Sequence, residues 1–273
     1  MFDAVTFDFS RTMILGRKHA QCAEFAAVLE ANGQLAGCVW ESPPRAAALR
    51  LWRRRVTRHG WLPTASRAAA LVADRALYRI DRANRATDPA PARDRSALAA
   101  PRHLTVSDIN SPEVAELIGA LEPTLCIVVG ASIIREPVLS TLSKSLVVNL
   151  HAGKTPKYRG THGGVWAVIR SAPEDVVTTI HLLDAGIDTG RPLVYVPVSV
   201  KPTMTAMAAE HRRSALRWLA ESATKGKQSV DPVHAPPRGE LLYPPRLSEW
   251  RTFRRRSLSK ADEIRNQIPG RIS

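Results

Sequence analysis

Apolar positions recur along this chain with two different spacings, and the switching between them outlines a strand–helix–strand architecture. Ala4 to Phe9 alternate apolar and polar, as a half-buried strand would. Lys18 to Asn32 carry apolar side chains at helical spacing and end at Gly33, suited to the position just past a helix. Leu35 to Trp40 then predict a second short strand. The turn after the first strand, SRTMILGRKH, has no glycine-rich phosphate loop. Pro43 to Ala100 are rich in alanine and arginine with helical periodicity, broken by Gly60 and Pro63. Their end, RATDPAPARDRSALAAP, predicts an exposed loop.

From His103 the rhythm becomes regular. His103 to Ser107 predict a strand, and Ser111, Pro112 and Glu113 open a helix through Leu121 as N-cap, first position and first-turn acid. Leu125 to Val129 form an unbroken β-prone run, expected of a central parallel strand covered on both faces. A short helix over Glu136 to Leu142, a strand over Leu146 to Leu150 and a helix over Thr161 to Arg170 follow. Val176 to Leu183 and Leu193 to Val200 predict two more strands, and Thr203 to Lys225 the longest helical pattern. Together these elements predict a Rossmann-like α/β fold. Its central sheet is mostly parallel with helices on both faces, and a helical insertion follows the second strand. The prolines at 232, 236, 237, 244 and 245 argue against a second compact domain. Residues 1–227 are therefore expected to form one domain, and 228–273 a Pro/Arg-rich extension.

Composition sharpens this in two ways. A hydrophobic content of 44% suffices for a full core, and the longest apolar run, Leu125 to Ile134, is too short to span a bilayer, which needs about 20 residues. The amino-terminal residues lack the basic and apolar regions of a secretory signal. Cys22, Cys38 and Cys126 stand singly, as buried thiols in a reducing cytoplasm would. The net charge of +14 implies attraction to polyanions, much of it concentrated in WRRRVTR and RTFRRR. Neither run interleaves with enough aromatics to make a base-stacking platform. No HxxxH or HExxH pair is present, and no metal is expected.

Candidate chemistry lies between Val147 and Gly190. Asn149 and His151 are two apart at the end of a predicted strand, so their side chains share one side of it. That end is the carboxyl edge of the sheet, where open α/β folds bind ligands. The loop Asp184 to Gly190 can bring a carboxylate to the same edge. An amide donates to an oxygen that gains charge when an amine attacks a carbonyl, an imidazole donates or shuttles a proton, and a carboxylate orients the imidazole or accepts the amine's proton. Spacing alone equally allows a structural histidine capping a loop, and Asp188 as an ordinary turn residue. His181, mid-strand among apolar residues, is expected to be a satisfied core or sheet-face side chain.

The run NLHAGKTPKYRGTHGGVWAV, followed by TTIHLLDAGIDTGRPL, resembles the folate-dependent formyltransferase family, which includes glycinamide ribonucleotide, methionyl-tRNA and nucleotide-sugar N-formyltransferases. The family's N-x-H strand end, P-x-Y-R-G loop and D-x-G-x-D-T-G loop occur here in order. The resemblance implies catalytic roles for Asn149, His151 and Asp188. It implies that Asp184 and Gly186, with Gly130, Ile133 and Ile134 in the turn against which a pterin packs, bind the donor N10-formyltetrahydrofolate. Tyr158, Arg159 and His162 are the residues expected to face the amine substrate. The likeness is specific from Ser107 to Ser199. Before that it is topological, and SRTMILG fills poorly the place of the family's glycine-containing first turn. His151-Ala152-Gly153 stands where many members read H-P-S, and Lys154-Thr155-Pro156 where L-L-P is common.

The expectation is thus a cytoplasmic N-formyltransferase acting on a small amine, a phosphorylated or nucleotide-linked amino sugar being the acceptor whose charge the basic chain complements. An RNA-directed enzyme of the methionyl-tRNA type is the alternative. It is less favoured because the tail after Lys225 is short and proline-rich, whereas tRNA enzymes carry a substantial C-terminal β domain. A formyltetrahydrofolate hydrolase or a non-catalytic relative is the third. A homodimer is compatible with all three.

Overall fold

The computed structural model describes residues 3–17, 20–84 and 103–266. Its centre is a seven-stranded sheet. In chain order the strands are β2 (Thr12–Arg17), β3 (Leu35–Glu41), β4 (His103–Val106), β5 (Leu125–Val129), β6 (Leu146–Ala152), β8 (Val177–Leu182) and β9 (Pro192–Pro197). In space they run β4-β3-β2-β5-β6-β8-β9. All neighbours are parallel except at β8, which is antiparallel to both β6 and β9. The chain winds outward from β2 in one direction and from β5 in the other. The crevice beyond the carboxyl ends of β2 and β5 is therefore the topological switch point, where ligands bind in such folds.

Burial on both faces explains the unbroken apolar strands. Ile14, Cys38, Leu125 and Ile127 point to one face, under α1 (Ala20–Ala31) and α7 (Met204–Ala223). Met13, Leu15, Val39, Cys126 and Val128 point to the other, under α4 (Pro112–Leu121) and α5 (Val138–Thr141). Successive residues alternate between the two layers, so neither face tolerates a polar side chain. Cys22, Cys38 and Cys126 are free thiols in these layers, and burial pushes Cys38 up to about 12. No described helix is long and apolar enough to cross a membrane.

The structure corrects the expected amino-terminal strand. The alternating segment forms β1 (Val5–Asp8), which lies outside the main sheet and pairs antiparallel with β10 (Lys227–Val230). The sheet strand is β2, within the segment read from sequence as the turn. Asp8 caps the single 3-10 turn between them by accepting the Ser10 N–H. Phe7 and Phe9 pack against Trp218 of α7, which draws β1 away from the sheet edge. The true turn to α1 follows Gly16 at the end of β2, beside the Val129 carbonyl of β5.

The insertion is a pair of helices, α2 (Arg45–His59) and α3 (Trp61–Asn84), with Gly60 at φ 82° between them. The loop expected over 85–101 lies outside the described residues. Beyond α7 the chain returns over the body: β11 (Leu241–Leu242) pairs with β7 (Arg159–Gly160), and α8 (Leu247–Asn266) seats Phe253 in a third apolar cluster with residues of α6 (Gly163–Ile169). That helix lacks an expected counterpart, because its sequence is dominated by arginine and serine.

Asp74 of α3 ties these late elements together. Its carboxylate is 1% exposed and accepts the Met204 and Thr205 N–H groups at 2.8 and 2.9 Å, the Thr205 hydroxyl at 2.8 Å and the Trp250 indole N–H at 3.1 Å. An anion is thereby fixed on the positive end of α7, adding to the Thr203 cap. Asp74→Ala is expected to lower stability by about 2–4 kcal/mol, combining a lost cap with lost charge-assisted bonds. Urea unfolding measures it. A loss below about 0.5 kcal/mol, the range of ordinary surface changes, would show that the carboxylate does not join these helices.

Candidate active site

β6 ends at the carboxyl edge with Asn149 and His151 on one side of the strand. Across the antiparallel pairing, Asn149 faces His181 and His151 faces Thr179. The third group comes from the turn after β8, where Asp188 adopts a left-handed conformation at φ 50°, one that Asp accepts more readily than most residues. Asp188 Oδ1 lies 3.3 Å from His151 Nδ1 and accepts from Asn149 Nδ2 at 3.3 Å, while Oδ2 accepts the Gly160 N–H at 2.8 Å. His181 Nε2 stands 3.7 Å from the same Oδ1 and 3.1 Å from Asn149 Nδ2.

The partners assign the protons. A carbonyl only accepts, so His181 Nδ1, 2.8 Å from the Leu182 oxygen, donates, and its Nε2 is left to accept from the Asn149 amide. His151 Nε2 lies 3.0 Å from the Tyr158 oxygen while Nδ1 faces the Asp188 carboxylate. Both of its nitrogens stand against oxygen atoms, which fixes the orientation of the ring. Burial alone would raise the Asp188 carboxyl. The His151 ring beside it and the Gly160 N–H outweigh it and hold the group well below the usual carboxylate range.

Loop chemistry explains why these motifs have their residues. Gly160 has φ 94°, and a Cβ there would sit 2.2 Å from the Leu242 oxygen, so only glycine can pair with β11 while donating to Asp188. In the second loop, Asp184 accepts from the Gly186 N–H at 3.1 Å and from the Thr189 hydroxyl at 2.7 and 2.9 Å, which closes the turn that carries Asp188. A Cβ at Gly186 would overlap the Thr189 hydroxyl.

The crevice after β5 is similarly built. Gly130 has φ 64°, and Ile133 stands 48% exposed on the following loop. Ile134 instead packs into the α4 and α5 layer, so its side chain faces the core and not the crevice, contrary to expectation. Glu41, buried at the end of β3, accepts the Ser132 N–H at 2.9 Å. Asn110 accepts the Arg135 N–H at 2.7 Å and donates to the Ile133 oxygen at 3.0 Å. These two side chains fix the loop shape, and sequence reasoning missed both because each acts from a different strand end.

The three residues expected to face the amine are placed otherwise. The Tyr158 ring is 1% exposed in the third apolar cluster, so it touches no solvent. Arg159 is buried, giving its guanidinium to the Ile187 and Gly239 oxygens, which supports the Asp188 turn from behind. His162 lines a cavity of about 230 Å³ between α3 and α7, with Leu71, Asp74 and Thr205 among its walls. Its Nδ1 has no partner among the described residues, and burial pushes its ring down to about 4. His181, expected as a satisfied sheet-face residue, is satisfied but contacts both Asn149 and Asp188. Its signal was register: an antiparallel β8 opposes it to Asn149.

Comparison with known proteins agrees with this geometry. The family model described as formyl transferase matches residues 63–218, more than half of the chain. A methionyl-tRNA formyltransferase of Geobacter metallireducens is 34% identical over 108 residues, covering 40% of this chain and 34% of that protein. The corresponding enzyme of Pelotomaculum thermopropionicum is 30% identical over 164 residues, covering 59% and 51%. The chain thus spans between a third and a half of the length of these curated relatives. Among solved structures, a 4-N formyltransferase of Francisella tularensis shares the fold with a TM-score of 0.52 at 10% identity, covering 91% of this chain and 88% of that one. A sugar N-formyltransferase of a Shewanella species gives 0.51 at 11%, covering 92% and 88%. With its family match over residues 63–218, and Asn149, His151 and Asp188 gathered at the sheet edge, the chain belongs to the formyl transferase family.

Proposed function

We propose that this protein moves a formyl group from N10-formyltetrahydrofolate to the primary amine of a small, phosphate-bearing acceptor, a nucleotide-linked amino sugar being the form that suits it. The observation that carries this is the contact of Asp188 with both Asn149, 39 residues earlier, and His151, at 3.3 Å each. The Asn149 amide and the His151 ring donate to the formyl oxygen as it gains charge. Their bonds to Asp188 are longer than the ~2.8 Å of a strong charge-assisted bond, so they exchange readily for a substrate oxygen. Asp188, held anionic, orients His151 and relays the amine's proton through water to N10 of the donor as the bond from N10 to the formyl carbon breaks and tetrahydrofolate leaves. His181 holds the Asn149 amide from the opposite side.

The residues at the switch point fit the donor. Ile133 offers an apolar wall for a flat ring, and Glu41 and Asn110 fix the peptide groups around it, with Gly130, Asp184 and Gly186 along the rim. The net charge of +14 supports a phosphorylated acceptor. Residues 1–227 are the catalytic domain on this reading, and 228–273 its extension. An RNA acceptor is the second reading, favoured by the similarity to methionyl-tRNA formyltransferases.

Purified protein incubated with the formyl donor and a panel of nucleotide-linked amino sugars is expected to yield products heavier by one formyl group. A salt-dependent gel shift with initiator tRNA, together with its formylation, would move the acceptor to RNA. Donor that stays intact with every amine and with tRNA would overturn formyl transfer itself.

Asn149→Ala is expected to slow transfer about 10²–10³-fold, the cost of one donor to a developing negative oxygen. Asp188→Asn should cost about 10²–10⁴-fold while sparing saturable donor binding, followed by folate fluorescence quenching. Unchanged turnover in either variant would remove that residue from the mechanism.

The stability of Asp188→Asn gives a pH test. A carboxyl with a depressed folded pKa stabilises the fold above its unfolded value, about 3.9, and loses that contribution as pH falls below it. Wild type should therefore exceed the variant in urea midpoint at neutral pH, with the gap closing under acid. A gap independent of pH would contradict the depressed carboxyl.

A further inference from the structure

The α2–α3 hairpin carries an unusual surface. Nine large apolar side chains stand exposed among the described residues, and seven of them are here: Leu49, Leu51 and Trp52 on α2, and Trp61, Leu62, Val72 and Ile80 on α3. Trp61 is 66% exposed and Leu62 62%, at the corner of the hairpin. Monomeric surfaces scatter such residues singly, so their concentration on one helical hairpin calls for a partner. The same helices carry ten arginines between 45 and 84, and the two acids in that span do not offset them at the surface. Asp74 is buried under α7, and Asp81 is only partly exposed.

Arginines and large apolar groups are interspersed over the exposed surface of both helices, as at Leu51 and Arg54 on α2 and at Val72 and Arg75 on α3, each three residues apart. Arg50, Arg54 and Arg58 of α2 are all exposed. Exposed guanidinium groups beside exposed Trp and Leu side chains suit a membrane interface, where apolar tips reach the acyl boundary and the cations meet the phosphates. Two other occupants fit less well. A second copy of this chain would bring ten arginines against ten without acids to neutralise them. A single-stranded nucleic acid is held by aromatic planes along a groove, whereas five of the seven exposed apolar groups are aliphatic.

We infer that the α2–α3 hairpin docks the protein peripherally on an anionic lipid bilayer. The inference is independent of the acceptor, because none of these side chains is part of the catalytic constellation. Its test is co-sedimentation of the full chain with vesicles of phosphatidylcholine alone and of phosphatidylcholine mixed with phosphatidylglycerol. Wild type is expected to pellet with the anionic vesicles only, and less as salt rises. Arg50→Glu with Arg54→Glu should weaken partitioning by more than the roughly fivefold per arginine expected from loss of one charge near the surface. Trp61→Ser with Leu62→Ser should leave low-salt binding partly intact and abolish retention at high salt. All four positions are exposed, and circular dichroism with thermal unfolding verifies that each variant folds.

Three results would overturn the proposal. The first is no pelleting of wild type with anionic vesicles. The second is vesicle binding that is indifferent to both variant pairs. The third is no vesicle binding but an arginine-dependent gel shift with RNA, or a Trp61-dependent dimer in sedimentation velocity. The last two outcomes assign the surface to nucleic acid or to a second copy.

Discussion

The site depends on one buried carboxylate that gathers neighbours from three strands. Asp188 receives Asn149 and His151 from β6, lies beside His181 from β8 and takes the Gly160 N–H from β7. An anion removed from water needs such neighbours, because each missing donor leaves part of its desolvation cost uncompensated. The constellation therefore organises as a unit. Losing the left-handed turn that carries Asp188 would leave His151 facing a carbonyl on one side only, and would free the Asn149 amide. The supporting contacts are correspondingly redundant: Asp184 closes that turn from within, and Arg159 braces it through the Ile187 oxygen.

How much of this was legible in the sequence differs by residue. The central strands were, because a strand buried on both faces must be apolar at every position, and Leu125 to Val129 is. The polar trio was legible as motifs because strict local demands preserve their spelling: Gly160 for its φ, Gly186 for the Thr189 contact. The amino-terminal strand was not. Ala4 to Phe9 has the alternation of a half-buried strand and does form one, but the tertiary pull of Trp218 sets it against β10 instead of the sheet. Tyr158 misled for a related reason. A polar aromatic in a glycine-punctuated loop looks exposed, yet the loop folds inward. Lys154 and Lys157 both close on the buried Asp175 at 2.6 and 2.7 Å, and pin it there. Such long-range partners leave no periodic trace.

The insertion illustrates a second kind of illegibility, one of purpose rather than shape. Its helices were expected from periodicity, but the way they join the body rests on Asp74, one of two acids in an otherwise basic stretch. By seating a carboxylate on the positive end of α7, α3 becomes continuous with the main helical layer. The exposed arginines can then project outward without loosening the body, since attachment and display use different faces of one helix. Lys201 and Arg213, by contrast, are paired with Glu210 on α7 and add little outward field.

The departures from the common family spelling can be weighed on the same physical terms. After His151 the chain reads Ala152-Gly153, and Gly153 lies so close to the next helix that a Cβ would stand 2.7 Å from Gly163 Cα. The loop is therefore packed tightly against α6, whose own start is two glycines. His211 presses on the second of these, with its Nε2 2.3 Å from where a Gly164 Cβ would be. The three glycines let β6, the loop and α6 approach to backbone contact, which draws the Tyr158 carbonyl onto His151 Nε2 at 3.0 Å. In this chain the carbonyl that fixes the His151 ring is thus positioned by close backbone packing, with Lys154 and Lys157 anchoring the loop on Asp175. The substitutions that part from the common motif fall on the scaffold around His151, and they leave its two acceptors in place.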